Sequence, residues 1–162
     1  MFSHKKNKTL LKFVFTTILG LGLTMPIMAG SAVSQQMIAS AKKNLKSISS
    51  KELKKMFDAE DDLFMLDVRE KYQRIEGSID GIENAAVTRS ALEFDIQENI
   101  KDKNALVVVY CRSGKIAVLA AKTLVDDLHY TNVVYLEGGM DAWLEAGNSI
   151  YNNFGELQLV KD

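Results

Sequence analysis

ALVVVYCRSGKIAVLAAKTL, residues 105–124, decides the fold of this chain. Its first part, Ala105–Tyr110, is an unbroken apolar run rich in β-branched side chains, which predicts a strand covered on both faces at the centre of a sheet. In its second part Ala117, Ala120, Ala121 and Leu124, continued by Leu128, recur at helical spacing and leave Lys122, Asp126 and Asp127 for the opposite side. A buried strand that runs almost directly into an amphipathic helix is the repeating unit of an α/β domain. Cys111, the single cysteine of the 162 residues, stands at the junction.

The same alternation continues outward. Ser49-x-x-Glu52 has capping-box spacing and opens a predicted helix through about Ala59, with Leu53, Met56 and Phe57 on one face. LFMLDV, residues 63–68, reads as a second covered strand, and EGSIDGIEN, residues 76–84, as a loop punctuated by Gly77 and Gly81. Leu92, Ile96 and Ile100 place a helix within residues 89–100. NVVYLEGG, residues 132–139, gives a strand ending in a Gly-Gly turn, and MDAWLEAG, residues 140–147, a short helix closed by Gly147. The pattern predicts one α/β domain over residues 48–150, with a central, mainly parallel sheet and helices on both faces. Residues 33–47 are expected to form an N-terminal arm or short helix and residues 151–162 a C-terminal tail.

Residues 1–32 have the layout of a secretory signal peptide. Four lysines lie within the first twelve residues, an apolar run from Phe13 to Met28 is loosened by Gly20, Gly22 and Pro26, and Ala29-Gly30-Ser31-Ala32 supplies small residues for cleavage. An uncleaved anchor is the alternative, but a spanning helix wants about 20 apolar residues without such breaks. The expectation is an exported protein, periplasmic or secreted, with no stable membrane insertion once the signal is removed. Cleavage would leave 16 basic residues against 21 acidic ones, a net charge near −5. Such a surface does not attract nucleic acid or anionic lipid.

In an exported protein one thiol cannot close an internal disulfide, so Cys111 is an inert buried residue, an intermolecular crosslink or a reactive group. Its place favours chemistry, because ligands of parallel α/β sheets bind at the carboxyl ends of the strands. Backbone N–H groups at the start of the following helix have no intrahelical partners and can converge on an anion there. Gly114 permits the backbone angles of such a cradle, and Arg112 and Lys115 add positive charge. An ordinary thiol is only a few per cent thiolate at neutral pH. One or two hydrogen bonds to the charged form, about 1.5–3 kcal/mol each, suffice to make the thiolate predominate. A histidine base is unnecessary, and His129, the one histidine past residue 32, sits at the far end of the helix. A Cys-His dyad and a multi-ligand metal site are both poorly supported.

The ordered motifs MLDVRE (residues 65–70), CRSGKIAVLAAKTL (111–124) and VVYLEGGMDAW (133–143) resemble a single-domain rhodanese, of the sulfurtransferase family, over about residues 48–148. The resemblance implies a rhodanese-like fold, Cys111 as the persulfide-forming nucleophile, and Arg112, Ser113, Gly114, Lys115 and Ile116 as the substrate-binding cradle. Asp67 and Arg69 are expected to pair in the loop network beneath the site rather than to touch substrate. It implies a small anionic sulfur donor such as thiosulfate, a thiol or cyanide acceptor, and no cofactor. The chain departs from the family at Ser78, where members often have histidine, at Ile82, often alanine, and at Lys115-Ile116-Ala117, often Asn-Arg-Ser or similar. Lys115 is the expected substitute for the missing guanidinium.

Two other functions share parts of this pattern. A cysteine phosphatase wants an arginine six positions after its cysteine to hold phosphoryl oxygens, and here that position is Ala117. A rhodanese-like sulfur carrier or protein-interaction module would keep the fold without turnover.

Overall fold

The computed structural model describes residues 29–79 and 83–159. The signal-peptide reading of residues 1–28, together with Gly81 and Ile82, lies outside the described residues. In chain order the elements are α1 (Ala29–Lys42), β1 (Lys46–Ile48), α2 (Ser50–Asp58), β2 (Phe64–Asp67), β3 (Glu83–Ala86), α3 (Leu92–Asn99), β4 (Val107–Tyr110), α4 (Lys115–Asp126), β5 (Val133–Leu136), α5 (Gly139–Glu145), β6 (Ile150–Asn152) and β7 (Gly155–Leu157). Single 3₁₀ turns form at Gln73–Glu76 and Arg89–Ala91.

Strands β1 to β5 make a parallel sheet in the order β1-β5-β4-β2-β3, with β4 at its centre. All four β4 residues are buried, and the pleat sends alternate side chains to opposite faces. Val107 and Val109 join Leu66, Val68, Val133 and Tyr135 under α3 and α4, where Leu92, Ile96, Ala117, Ala121 and Leu124 are fully enclosed. Val108 and Tyr110 join Met65, Leu136, Leu53, Met140 and Trp143 under α2 and α5. Two cores on one sheet explain why the β4 sequence is continuously apolar rather than alternating. Each large side chain so enclosed contributes about 1.5–3 kcal/mol relative to exposure.

Local signals act as their chemistry requires. The Ser49 hydroxyl accepts the Glu52 N–H at 3.2 Å while the Glu52 carboxylate accepts the Ser49 N–H at 2.9 Å, so the capping box starts α2. The Ser49 hydroxyl also donates to the Glu52 carboxylate at 2.6 Å, and this bond, with that from the Ser49 N–H, holds the Glu52 carboxyl below the usual carboxylate range. Trp143 fixes α5 on the sheet, edge-on to Phe57 with ring centroids 5.6 Å apart, and its indole N–H donates to the Ser149 carbonyl at 2.7 Å.

Elements on both sides of residues 48–150 also pack or pair with the rest of the fold. Within residues 33–47, α1 packs Ile38 and Ala41 onto the core at α4, and β1, beginning at Lys46, forms the sheet edge beside β5. At the other end, β6 and β7 form an antiparallel hairpin rather than a loose tail, and Tyr151 exchanges backbone hydrogen bonds with Ser78 at 2.8 and 2.9 Å. Leu128, read with the α4 stripe, lies half-buried just beyond the helix end.

Candidate active site

Cys111 follows the last residue of β4, at the carboxyl edge of the sheet, and is 3% exposed. Its carbonyl accepts the Met140 N–H at 3.0 Å, and the Arg112 carbonyl accepts the Asp141 N–H at 3.0 Å, so the first turn of α5 carries the loop from below. Gly114 adopts left-handed backbone angles (φ 77°) and turns the chain into α4. The predicted cradle is thus three loop residues plus the first two of a helix, since Lys115 and Ile116 already belong to α4. The Ala117 N–H, in the first turn of α4, donates to the Cys111 sulfur at 3.4 Å. The N-terminus of α4 is thus directed at the sulfur.

The sulfur faces a pocket of about 80 Å³ lined by Val68, Arg69, Glu70, Gln73, Arg89, Cys111, Arg112, Ser113 and Ile116. Of the sequence-predicted residues, Cys111, Arg112, Ser113, Ile116 and Arg69 come together there. Lys115 does not: it lines a separate dent with Ser113, Gly114, Lys42 and Tyr135. Helical geometry separates Lys115 from Ile116 by about 100° around the axis, and Ile116 takes the position on the pocket wall.

Arg112, in the pocket lining, lies between two acids. Its Nε donates to Asp141 Oδ1 at 2.7 Å, and its Nη1 donates to a Glu76 carboxylate oxygen. The Asp141 bond and the Glu76 charge raise the guanidinium pKa further. Arg89, which the sequence did not single out, supplies another cation to the pocket, oriented by Glu93 at 2.8 Å and by the Thr123 hydroxyl at 3.0 Å. No local motif marks Arg89, because it reaches the site through the packing of α3 against the sheet.

Asp67 and Arg69 form the expected pair, and Arg69 also lines the pocket. Arg69 Nη2 donates to Asp67 Oδ2 at 2.6 Å and to the Gly77 carbonyl at 2.7 Å, and Nε donates to Asp67 Oδ1 at 3.0 Å. Burial opposes the charge of Arg69, but the hydrogen bonds and charge of Asp67 outweigh it, so its pKa is raised. The guanidinium stands 5.6 Å from the centre of the Tyr110 ring, whose hydroxyl accepts the Ile79 N–H at 3.2 Å. Burial pushes the Tyr110 phenol well up, keeping it neutral.

His129 closes the opposite end of α4 in a left-handed conformation (φ 60°). Twelve helical residues span about 18 Å, which takes it away from the sulfur. Among the described residues no group of three or more His, Cys, Asp or Glu side chains is placed to hold a metal ion. The arrangement can present a sulfur nucleophile, with a hydrogen bond to its anion, to a small molecule.

Residues 49–146 match the family model described as the rhodanese-like domain. YtwF of Bacillus subtilis (strain 168), assigned provisionally as a sulfurtransferase, is 36% identical over 101 residues, which cover 61% of this chain and 90% of that protein. The polysulfide-sulfur transferase homodimer of Wolinella succinogenes is 27% identical and superposes with a TM-score of 0.63, over 81% of this chain and 91% of that one. A protein from Rhodopseudomonas palustris CGA009, of unknown function and described as a possible tyrosine phosphatase, is also 27% identical, with a TM-score of 0.60 over 72% of this chain and 92% of that one.

Proposed function

This chain belongs to the rhodanese-like domain family, and from that premise we propose that it is an exported sulfurtransferase working through a persulfide on Cys111. The thiolate attacks the outer sulfur of a small donor of the thiosulfate, polysulfide or organic persulfide type. The donor's inner group leaves with the bonding pair, and Cys111–S–S⁻ remains. A thiol or cyanide then attacks the outer sulfur and regenerates the Cys111 thiolate, so atoms and electrons balance over the cycle. The observation that supports the reading is the buried Cys111 in the lining of a small pocket, its sulfur hydrogen-bonded by the first turn of α4.

The phosphatase reading lacks its anion-holding arginine. Ala117 occupies that position fully buried, and its side chain can make no bond to a phosphoryl oxygen. A non-turnover carrier would use the same loop, so the test separates loading from release. Purified protein mixed with thiosulfate or a persulfide is expected to gain 32 mass units on Cys111 and to lose them on adding cyanide or a thiol. Cys111→Ser is expected to gain nothing while remaining folded. Loading without release would make the chain a carrier, and full transfer by Cys111→Ser would end the persulfide mechanism.

A further inference from the structure

Every guanidinium around the Cys111 pocket is already committed to acid. Arg69 is closed onto Asp67, Arg89 onto Glu93, and Arg112 onto both Glu76 and Asp141. Glu70 lines the same pocket, so three guanidiniums stand among five carboxylates. Lys115, the remaining cation of the loop region, lines the other dent. The site therefore presents little uncommitted positive charge to a donor.

Donors differ in how much charge they need. With thiosulfate, the Cys111 thiolate and a dianion share the pocket, and the products, Cys111–S–S⁻ and SO₃²⁻, carry the same three negative charges. With an alkyl persulfide as the anion R–S–S⁻ that it forms near neutral pH, the products are Cys111–S–S⁻ and RS⁻, and two negative charges are present throughout. Each additional anion near a carboxylate at partial exposure is opposed, and salt weakens that opposition.

We infer that Glu76 and Asp141, by pairing with Arg112 in the pocket lining, set the charge class of the sulfur donor, favouring persulfides of low charge over dianions. The inference rests on the sulfur-transfer reading of Cys111. Glu76 reaches Arg112 from the Gln73–Glu76 turn, 36 residues away in sequence, and Asp141 from the first turn of α5. Both act on the donor through Arg112 and through their own field, as positioning residues.

The test compares kcat/KM for thiosulfate with that for 2-hydroxyethyl persulfide in wild type, Glu76→Gln and Asp141→Asn, each at low and at physiological ionic strength. Removing one carboxylate is expected to raise the thiosulfate-to-persulfide ratio on the order of threefold to tenfold. It should also change the salt response: added salt favours thiosulfate in wild type and does so less in either variant, where Arg112 keeps only one acid partner. A purely structural role would slow both donors together and leave the ratio where it was. A ratio unchanged or lowered in both variants overturns the inference while leaving the Cys111 reading intact. Wild type that takes no sulfur from either donor would remove that reading, and this one with it.

Discussion

A β-carbon on Gly139 would stand 2.3 Å from the Cys111 carbonyl oxygen and 2.6 Å from the Gly114 nitrogen. The backbone of α5 therefore touches the active loop at a distance that only glycine permits, with a positive φ of 61°. Gly139→Ala is expected to cost about 1–3 kcal/mol and to displace the sulfur. Sulfur loading of the folded protein should fall on the order of tenfold or more. Gly147→Ala is the control: it carries the same backbone strain at φ 82° but meets no atom within 4 Å. Thermal melts with the rate of mass gain on Cys111 check this, and equal loading by the two variants would show that the contact is unimportant.

The buried Asp67–Arg69 pair should matter to stability before chemistry. Arg69→Leu leaves Asp67, 3% exposed, without its guanidinium and the Gly77 carbonyl without its donor. Removing one member of such a pair typically costs about 3–5 kcal/mol, because the other charge stays buried and uncompensated. Urea unfolding should register a loss of that size, and a change below about 1 kcal/mol would mean that water reaches Asp67.

The α2 cap carries a pH signature. Ser49→Ala should lose about 1 kcal/mol near neutral pH, since the hydroxyl satisfies a free helix N–H. The Glu52 carboxyl is held below its ordinary value, so its contribution is present above the normal carboxylate range and is lost as pH falls through the lowered value. Because Ser49 is the main cause of that shift, the gap between wild type and Ser49→Ala should narrow on acidification. A gap that widens in denaturant melts at falling pH would contradict it.

Export is testable at the chain's start. Cleavage near Val33 would leave Ile38 and Ala41, the α1 residues packed on the core, in the mature protein. N-terminal sequencing is expected to find a start near Val33, with the protein outside the cytoplasm. Recovery in membranes with the first 30 residues intact would instead favour an anchor. Among the described residues no helix is long and apolar enough to cross a membrane.

By itself the sequence determined the parts whose causes are local. The β-branched run of β4, the helical stripe of α4, the Ser49–Glu52 box and the placing of Cys111 at a strand-to-helix junction depend on side chains within a turn or two of one another. Such spacing survives as periodicity that can be read without coordinates. Tertiary structure alone decided the electrostatics of the site. Arg112 meets Glu76 and Asp141, 36 and 29 residues distant, only because the sheet order and the α5 contact bring three loops to one edge. The two cations of the loop then part: Arg112 stays at the pocket, while the first turn of α4 carries Lys115 to the neighbouring dent. Charge near a site can be counted in sequence, but which acid answers which base depends on direction, and direction is settled by packing.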